Sequence, residues 1–237
     1  MRKTLKSITI FSVGVSLVLS CSNSHHVQSE TVETPEGLVF KQELNIPTAD
    51  NILDYNDSLW SEIKFQEEGV FENMAYADTV NFMGRKIYPC ARCFLRPEAA
   101  TALKLANEIA HEKGLRLTLF DCYRPTKYQQ IMFDLIKDSR YVAEPKNGGS
   151  MHNKGLAVDI ALADTSGNLL DFGGEFDEFS ERSHLMYKKL DSIPASNRVL
   201  LKDIMTQVGF TPYAYEWWHY SYKQVDYQLD DYVWGCN

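Results

Sequence analysis

The stretch Ser150-Met151-His152-Asn153-Lys154-Gly155-Leu156-Ala157-Val158-Asp159 and, far downstream, Glu216-Trp217-Trp218-His219 place two imidazoles and two carboxylates in patterns that suit a catalytic metal. A catalytic zinc keeps three protein ligands drawn from His, Asp, Glu or Cys and leaves a fourth position for water. His152, Asp159 and His219 fill that set. Glu216 is then left over as a base, because a carboxylate beside an acidified water can take its proton during attack on a carbonyl. The expected cofactor is Zn2+, one ion per chain. A lone buried histidine is more often a hydrogen-bonded core residue than a ligand. Here the joint occurrence of four chemical side chains with small neighbours points to a site. The helical two-histidine zinc motif is absent, since His111-Glu112 has Leu115 where its second histidine would stand.

These residues need elements to position them. In a strand over 155–160, Gly155, Ala157 and Asp159 share one face and Leu156, Val158 and Ile160 the other. Two very small side chains beside one acid leave room for a metal, a water and a substrate, so one face is read as site and the other as core. His152 precedes the strand, where a turn permitted by Gly155 brings it back toward Asp159. The aromatic-rich run 213–222 reads as a strand, so a bulge or turn near Trp217 is required if Glu216 and His219 are to act together. Trp217 and Trp218 read as packing residues. Helices are expected over 97–113, 125–137 and 194–208, and strands over 115–121, 155–162 and, after a hairpin turn at 164–168, over 169–172. That order of elements gives a compact α+β domain. Arg124 follows the 115–121 strand directly and precedes Pro125, a strand-end position where site residues gather, with a plain surface ion pair as the alternative.

Further segments join the two motifs in order: Asn81-Phe82-Met83-Gly84, Asp121-Cys122-Tyr123-Arg124-Pro125, and Phe176-Asp177 followed by Ser180-Glu181-Arg182-Ser183-His184. Together they resemble the zinc D,D-peptidases that share Ser-x-His-x-x-Gly-x-Ala-x-Asp and Glu-Trp-Trp-His motifs, in particular the D-alanyl-D-alanine dipeptidases of the vancomycin-resistance type. The resemblance spans roughly 67–222. It implies a single domain with a largely antiparallel sheet flanked by helices, related in fold to the D,D-carboxypeptidases and the Hedgehog signalling domain. It also implies zinc on His152, Asp159 and His219, Glu216 as general base, Arg124 stabilising the reacting carbonyl, and the D-Ala-D-Ala dipeptide or a related small peptide as substrate. Asp177 is the implied partner of the substrate ammonium, against the alternative of a solvated acidic loop with Glu175 and Glu178. Ser150 either hydrogen-bonds a substrate terminus or braces its loop. His184 is expected to stabilise a loop or line the substrate rim. Two other readings use the same residues: a D,D-carboxypeptidase or endopeptidase acting on peptidoglycan stems, and a non-catalytic Hedgehog-like binding domain, against which the presence of both Glu216 and Arg124 counts.

At the N-terminus Arg2, Lys3 and Lys6 precede an apolar run over 8–19, the layout of a secretory signal. The run is short for a membrane span. Leu17-Val18-Leu19-Ser20-Cys21 resembles a bacterial lipobox, which implies removal of residues 1–20, lipidation of Cys21 and an exported, membrane-anchored periplasmic or cell-surface lipoprotein; an ordinary signal peptide or an uncleaved anchor is the alternative. Residues 21–36 have the composition of a flexible tether, and 37–237 form the expected catalytic domain. Removing residues 1–20 takes away three positive and no negative charges, moving the net charge from -8 to -11. Such an acidic chain disfavours nucleic acid and leaves the lipid as the expected membrane contact. No obligate protein partner is evident. Cys90, Cys93, Cys122 and Cys236 permit two disulfides in three possible pairings.

Overall fold

Alanine-rich and branched apolar runs separated by Gly and Pro set the layout of the computed structural model, which describes residues 31–32, 40–41 and 54–236. The expected signal segment, the lipidation site Cys21 and the tether, apart from Thr31–Val32, lie outside the described residues. In the first compact unit, Met1–Ile52, the described residues form one small ladder, β1 (Thr31–Val32) paired antiparallel with β2 (Phe40–Lys41). The second unit, Leu53–Asn237, holds β3 (Ser61–Ile63), α1 (Phe65–Glu68), β4 (Phe71–Glu72), β5 (Cys93–Leu95), α2 (Pro97–Glu112), β6 (Arg116–Asp121), α3 (Thr126–Leu135), β7 (Ala157–Ala163), α4 (Ser192–Gln207), β8 (Phe210–Pro212) and β9 (His219–Tyr222). This is the expected α+β architecture.

Strands β4-β6-β7-β9-β8 make a five-stranded sheet that is antiparallel except for the β4–β6 pair, and β3 pairs with β5 in a separate ladder. Ala-Val-Asp-Ile-Ala-Leu-Ala in β7 offers only one polar side chain in seven, and the strand is buried from end to end at the centre of the sheet. The site face is therefore roofed as well as the core face. α2 starts with Pro97, whose missing N–H costs nothing in a first turn, and its buried face is mostly alanine, which lets it sit close on β6 and α4. Asn107 is tolerated in that face because its amide group donates to the Glu68 carbonyl at 2.6 Å and accepts from the Leu117 N–H at 3.3 Å. Of the three cysteine pairings, Cys93–Cys122 and Cys90–Cys236 are formed. The first ties β5 to the end of β6, and the second ties the C-terminal segment back to the domain.

Two expected strands are revised. The segment 169–172 makes one bridge, Ala163↔Leu169, rather than a hairpin strand. The carbonyls of Asp171 and Phe172 accept from Asn197 and Arg198 of α4, which draws the chain away from β7. Of the run 213–222 only His219–Tyr222 is strand. The required turn is the loop between β8 and β9, closed by the Tyr213 N–H donating to the His219 carbonyl at 3.0 Å.

Candidate active site

The register of the sheet assembles the site. Asp121 of β6 lies opposite Asp159 of β7, and Asp159 lies opposite His219 of β9, so three chemical residues form a row across adjacent strands. A register shift between Leu119 and Asp121 brings Asp121 into that row. His152 arrives from the side. It sits in a tight 3-10 turn, Met151–Lys154, capped reciprocally by Ser150 and Asn153 and ended by Gly155 at φ 70°. A side chain at Gly155 would be strained in that conformation and would place its Cβ 2.5 Å from the Trp60 ring. The turn is thus possible only with glycine there, and it swings His152 back over the start of β7.

Three donor atoms converge. His152 Nε2 is 3.2 Å from Asp159 Oδ1 and 3.1 Å from His219 Nδ1, and His219 Nδ1 is 3.0 Å from the same Asp159 oxygen. His152 Nδ1 lies 2.6 Å from the Cys122 carbonyl, which only accepts, so that nitrogen carries a proton and Nε2 is the atom turned to the cluster. His219 Nε2 is likewise occupied, by Ser221 Oγ at 3.0 Å. Two imidazole nitrogens and a carboxylate oxygen drawn this close together are a set that one cation satisfies at once. Tetrahedral zinc with bonds of about 2.0–2.1 Å holds neighbouring ligand atoms about 3.3 Å apart, close to the spacing seen here, and outer hydrogen bonds of this kind fix the ligand rings. The residues fit zinc. Burial alone would raise the Asp159 carboxyl, but the two imidazoles against it hold it below the ordinary carboxylate range. Burial pushes His219 below the usual imidazole value despite that neighbour, which favours the neutral, ligating form.

Glu216 leads into the β9 edge of this cluster, with Oε2 3.8 Å from His219 Nδ1 and 7% exposure. Burial pushes its carboxyl well above the usual range, and the charges of Asp159 and Asp177 add to the effect. Arg124 is buried, not a surface ion pair. Its Nε and one Nη donate to Asp121 Oδ2 at 2.9 and 2.6 Å, and the other Nη donates to Gln129 Oε1 at 2.8 Å. Guanidinium has five N–H donors, so two remain for the cleft that Arg124 lines. One Nη stands 3.7 Å from Asp159 Oδ2, which puts positive charge beside the ligand cluster.

A cleft of ≈ 220 Å³ contains His152, Asp159, His219, Glu216 and Arg124 together with Ser150 and Asp177. Asp177 holds φ 61°, and both its carboxylate oxygens accept from the Tyr76 hydroxyl, at 3.2 and 3.0 Å. Burial raises its carboxyl well above the normal range, with Asp159 adding to the rise. Glu178 instead accepts from Ser180 Oγ and Glu175 is exposed, so Asp177 is the acid of its loop that reaches the cleft. Ser150 Oγ accepts the His152 N–H at 3.2 Å and braces the turn, while its own O–H stays available toward the cleft. His184 stands apart from the ligand cluster and does not line the cleft; it lies 3.4 Å from the Tyr141 hydroxyl and edge-on to Tyr215. Trp217 and Trp218 are packing residues: Trp217 stacks on Phe172 and Trp218 meets Phe176 edge-on. Sequence reasoning assigned no role to Asp121, Tyr76, Gln129 or Ser221. Ser221 could have been found by strand alternation from His219. Nothing in the sequence ties Tyr76 to Asp177, 101 residues away.

The sequence profile of the D-ala-D-ala dipeptidase family, peptidase M15, matches residues 67–233, the span that carries every one of these side chains. The chain belongs to that family. Among its relatives, the D-alanyl-D-alanine dipeptidase of Escherichia coli (strain K12) is 40% identical over 152 residues, covering 64% of this chain and 78% of that protein. The D-alanyl-D-alanine dipeptidase of Enterococcus faecium is 33% identical over 180 residues, covering 67% and 89%. A solved structure described as VanYB in complex with D-Alanine-D-Alanine matches at 20% identity with a TM-score of 0.38, covering 55% of this chain and 72% of that one. Family membership makes this D-ala-D-ala dipeptidase relative a metallopeptidase.

Proposed function

We propose that the chain hydrolyses the free D-alanyl-D-alanine dipeptide, in peptidoglycan metabolism, with one zinc ion held by His152, Asp159 and His219. The convergence of the three ligand atoms with Glu216, Arg124 and Asp177 in one small cleft is the observation that supports this most. Zinc, when bound, supplies Lewis acidity, polarising a carbonyl and making a water acidic near neutrality. Glu216, whose proton affinity is raised by burial, takes the proton of the attacking water and returns it to the departing amine. Arg124 directs its two spare N–H groups at the carbonyl oxygen as negative charge builds there. Asp177, with Tyr76 steadying its carboxylate, pairs with the substrate ammonium. The Ser150 hydroxyl offers a hydrogen bond to a substrate terminus.

The test is a substrate series on the wild-type enzyme. An ion pair between Asp177 and a free ammonium is lost in an N-acylated substrate, whose extra chain must also occupy the same space. kcat/KM is expected to be highest for D-alanyl-D-alanine, and at least about a hundredfold lower for its N-acetyl derivative and for a pentapeptide with the same C-terminus. A preference for the pentapeptide would assign the site to a D,D-carboxypeptidase instead.

The same proposal extends to location. The basic, apolar and Leu-Ser-Cys order of residues 1–21 supports export and lipidation at Cys21, placing an acidic catalytic domain on a tether at the membrane surface. Cys21→Ala is expected to move the protein from the membrane fraction to the soluble fraction; retention at the membrane after signal cleavage would contradict lipidation.

A further inference from the structure

α4 buries an arginine that the chemistry above does not use. Arg198 is 2% exposed, and no carboxylate among the described residues lies within ion-pair distance of it. Its fork is filled by backbone: Nε donates to the Phe172 carbonyl at 2.7 Å, one Nη to His184 at 2.8 Å and the other to Arg182 at 2.9 Å. These carbonyls belong to the two ends of one loop, and Asp177 stands between them. Burial, with the charge of Arg182 adding to it, pushes the Arg198 guanidinium down to about 10, so it remains a cation at neutral pH. Glu178 and Asp171 ease that burial from beyond ion-pair contact, and a buried guanidinium whose donors all go to backbone is a costly choice for packing alone.

The loop needs such a clamp. Asp177 holds a left-handed conformation, φ 61°, which is uncommon for a side-chain-bearing residue although Asp adopts it more readily than most, so its place in the cleft depends on how the loop ends are held. Within the loop, Ser183 Oγ donates to the Glu178 carbonyl and Arg182 Nε to the Gly173 carbonyl, but these bonds are internal and do not fix the loop to the sheet. Phe176 packs the middle of the loop on Phe120 and Tyr76 holds the Asp177 carboxylate, while Arg198 anchors the two loop ends from α4. The Ser183 carbonyl accepts from the Trp217 N–H at 2.9 Å, so the same loop end is also joined to the turn that carries Glu216. Lysine could keep the charge but has a single nitrogen, which cannot span three carbonyls at two ends of a loop as a planar guanidinium does.

We infer that Arg198 is a positioning residue for substrate selection: by clamping both ends of the 172–184 loop it holds Asp177 in the conformation that meets the substrate ammonium. The inference rests on the reading of Asp177 as the ammonium partner.

The experiment measures kcat and KM for D-alanyl-D-alanine and N-acetyl-D-alanyl-D-alanine, with zinc content, in wild type, Arg198→Lys, Asp177→Asn and the double variant. Arg198→Lys is expected to keep one zinc, to raise KM for the free dipeptide about tenfold with kcat changed less than about threefold, and to narrow the preference for free over acetylated substrate. In the Asp177→Asn background the same substitution is expected to leave that preference unchanged, because its effect passes through a group already removed. Equal losses on both substrates, or independent multiplication of the two effects, would overturn the inference. Should Asp177→Asn alone leave the preference intact, the Asp177 reading fails, and the Arg198 inference with it. Arg198→Gln gives a second approach where Arg198→Lys does not fold, since its amide removes the charge and keeps two N–H donors for three carbonyls. It is expected to narrow the preference as well, and an unchanged ratio in a folded Arg198→Gln enzyme would contradict the clamp.

Discussion

The two sides of the cleft are built by different means. On the metal side, Asp159 and His219 stand on paired strands and His152 on a capped turn at the start of one of them, so backbone register sets the ligand spacing. On the loop side, where the proposal puts the substrate ammonium, Asp177 stands on an irregular loop with a left-handed backbone, and side chains from elsewhere hold it: Tyr76 on its carboxylate and Arg198 on the loop ends. The two sides divide the labour. A metal tolerates little variation in ligand distance, and the residues that would hold one stand on paired strands and a capped turn. Under the proposed function the loop side would meet a flexible dipeptide, and there the framework would decide which substrate is accepted rather than whether bonds can be broken.

If this contrast holds, substitutions on the metal side should depress kcat and those on the loop side should alter KM and selectivity. The largest of the four effects is expected from Glu216→Ala, which should keep zinc and lower kcat by roughly a hundredfold or more, as loss of a general base does. Full activity in that variant would return Glu216 to a packing role. Arg124→Ala should lower kcat by about tenfold to a hundredfold and raise KM less, because a developing oxyanion is met mainly in the transition state. A pure KM effect would reassign it to substrate anchoring. On the loop side, Asp177→Asn should raise KM for the free dipeptide by about tenfold while leaving zinc and the acetylated substrate nearly unaffected. A loss of zinc there would erase the division between the two sides. The smallest effect is expected from Ser150→Ala, which removes the cap on the His152 turn: about 1 kcal/mol of stability, read as a lower Tm, with less than tenfold change in kcat.

The same contrast explains what could be read in the sequence. Alternation along 155–160 and the freedom of Gly155 identify the ligand strand and its turn, because both depend on local spacing and steric rules. The Glu216 to His219 spacing demands a turn near Trp217 for the same reason. The three long helices were legible to within about two residues because signals such as Pro97, Gly114 and the alanine spacing are local, whereas the single turn α1 was not foreseen. The expected strand over 169–172 failed because α4 claims the carbonyls of Asp171 and Phe172, a tertiary competition that no local pattern announces. Tyr76 and Arg198 were invisible for that reason, and the cysteine pairing because spacing leaves three choices open. Asp121 lay in plain view three residues before Arg124, yet its role depends on a shifted register in β6.

The central claim is that His152, Asp159 and His219 hold the catalytic metal. It is tested most directly by removing metal with a chelator and titrating zinc back into the wild type, His152→Ala and His219→Ala while following D-alanyl-D-alanine hydrolysis. In the wild type, activity should return in proportion to zinc and level off at about one ion per chain, and both variants should bind zinc weakly and stay inactive, since two remaining ligands seldom hold it tightly. Tight zinc in both variants, or a wild type that hydrolyses the dipeptide equally well without metal, would contradict the account.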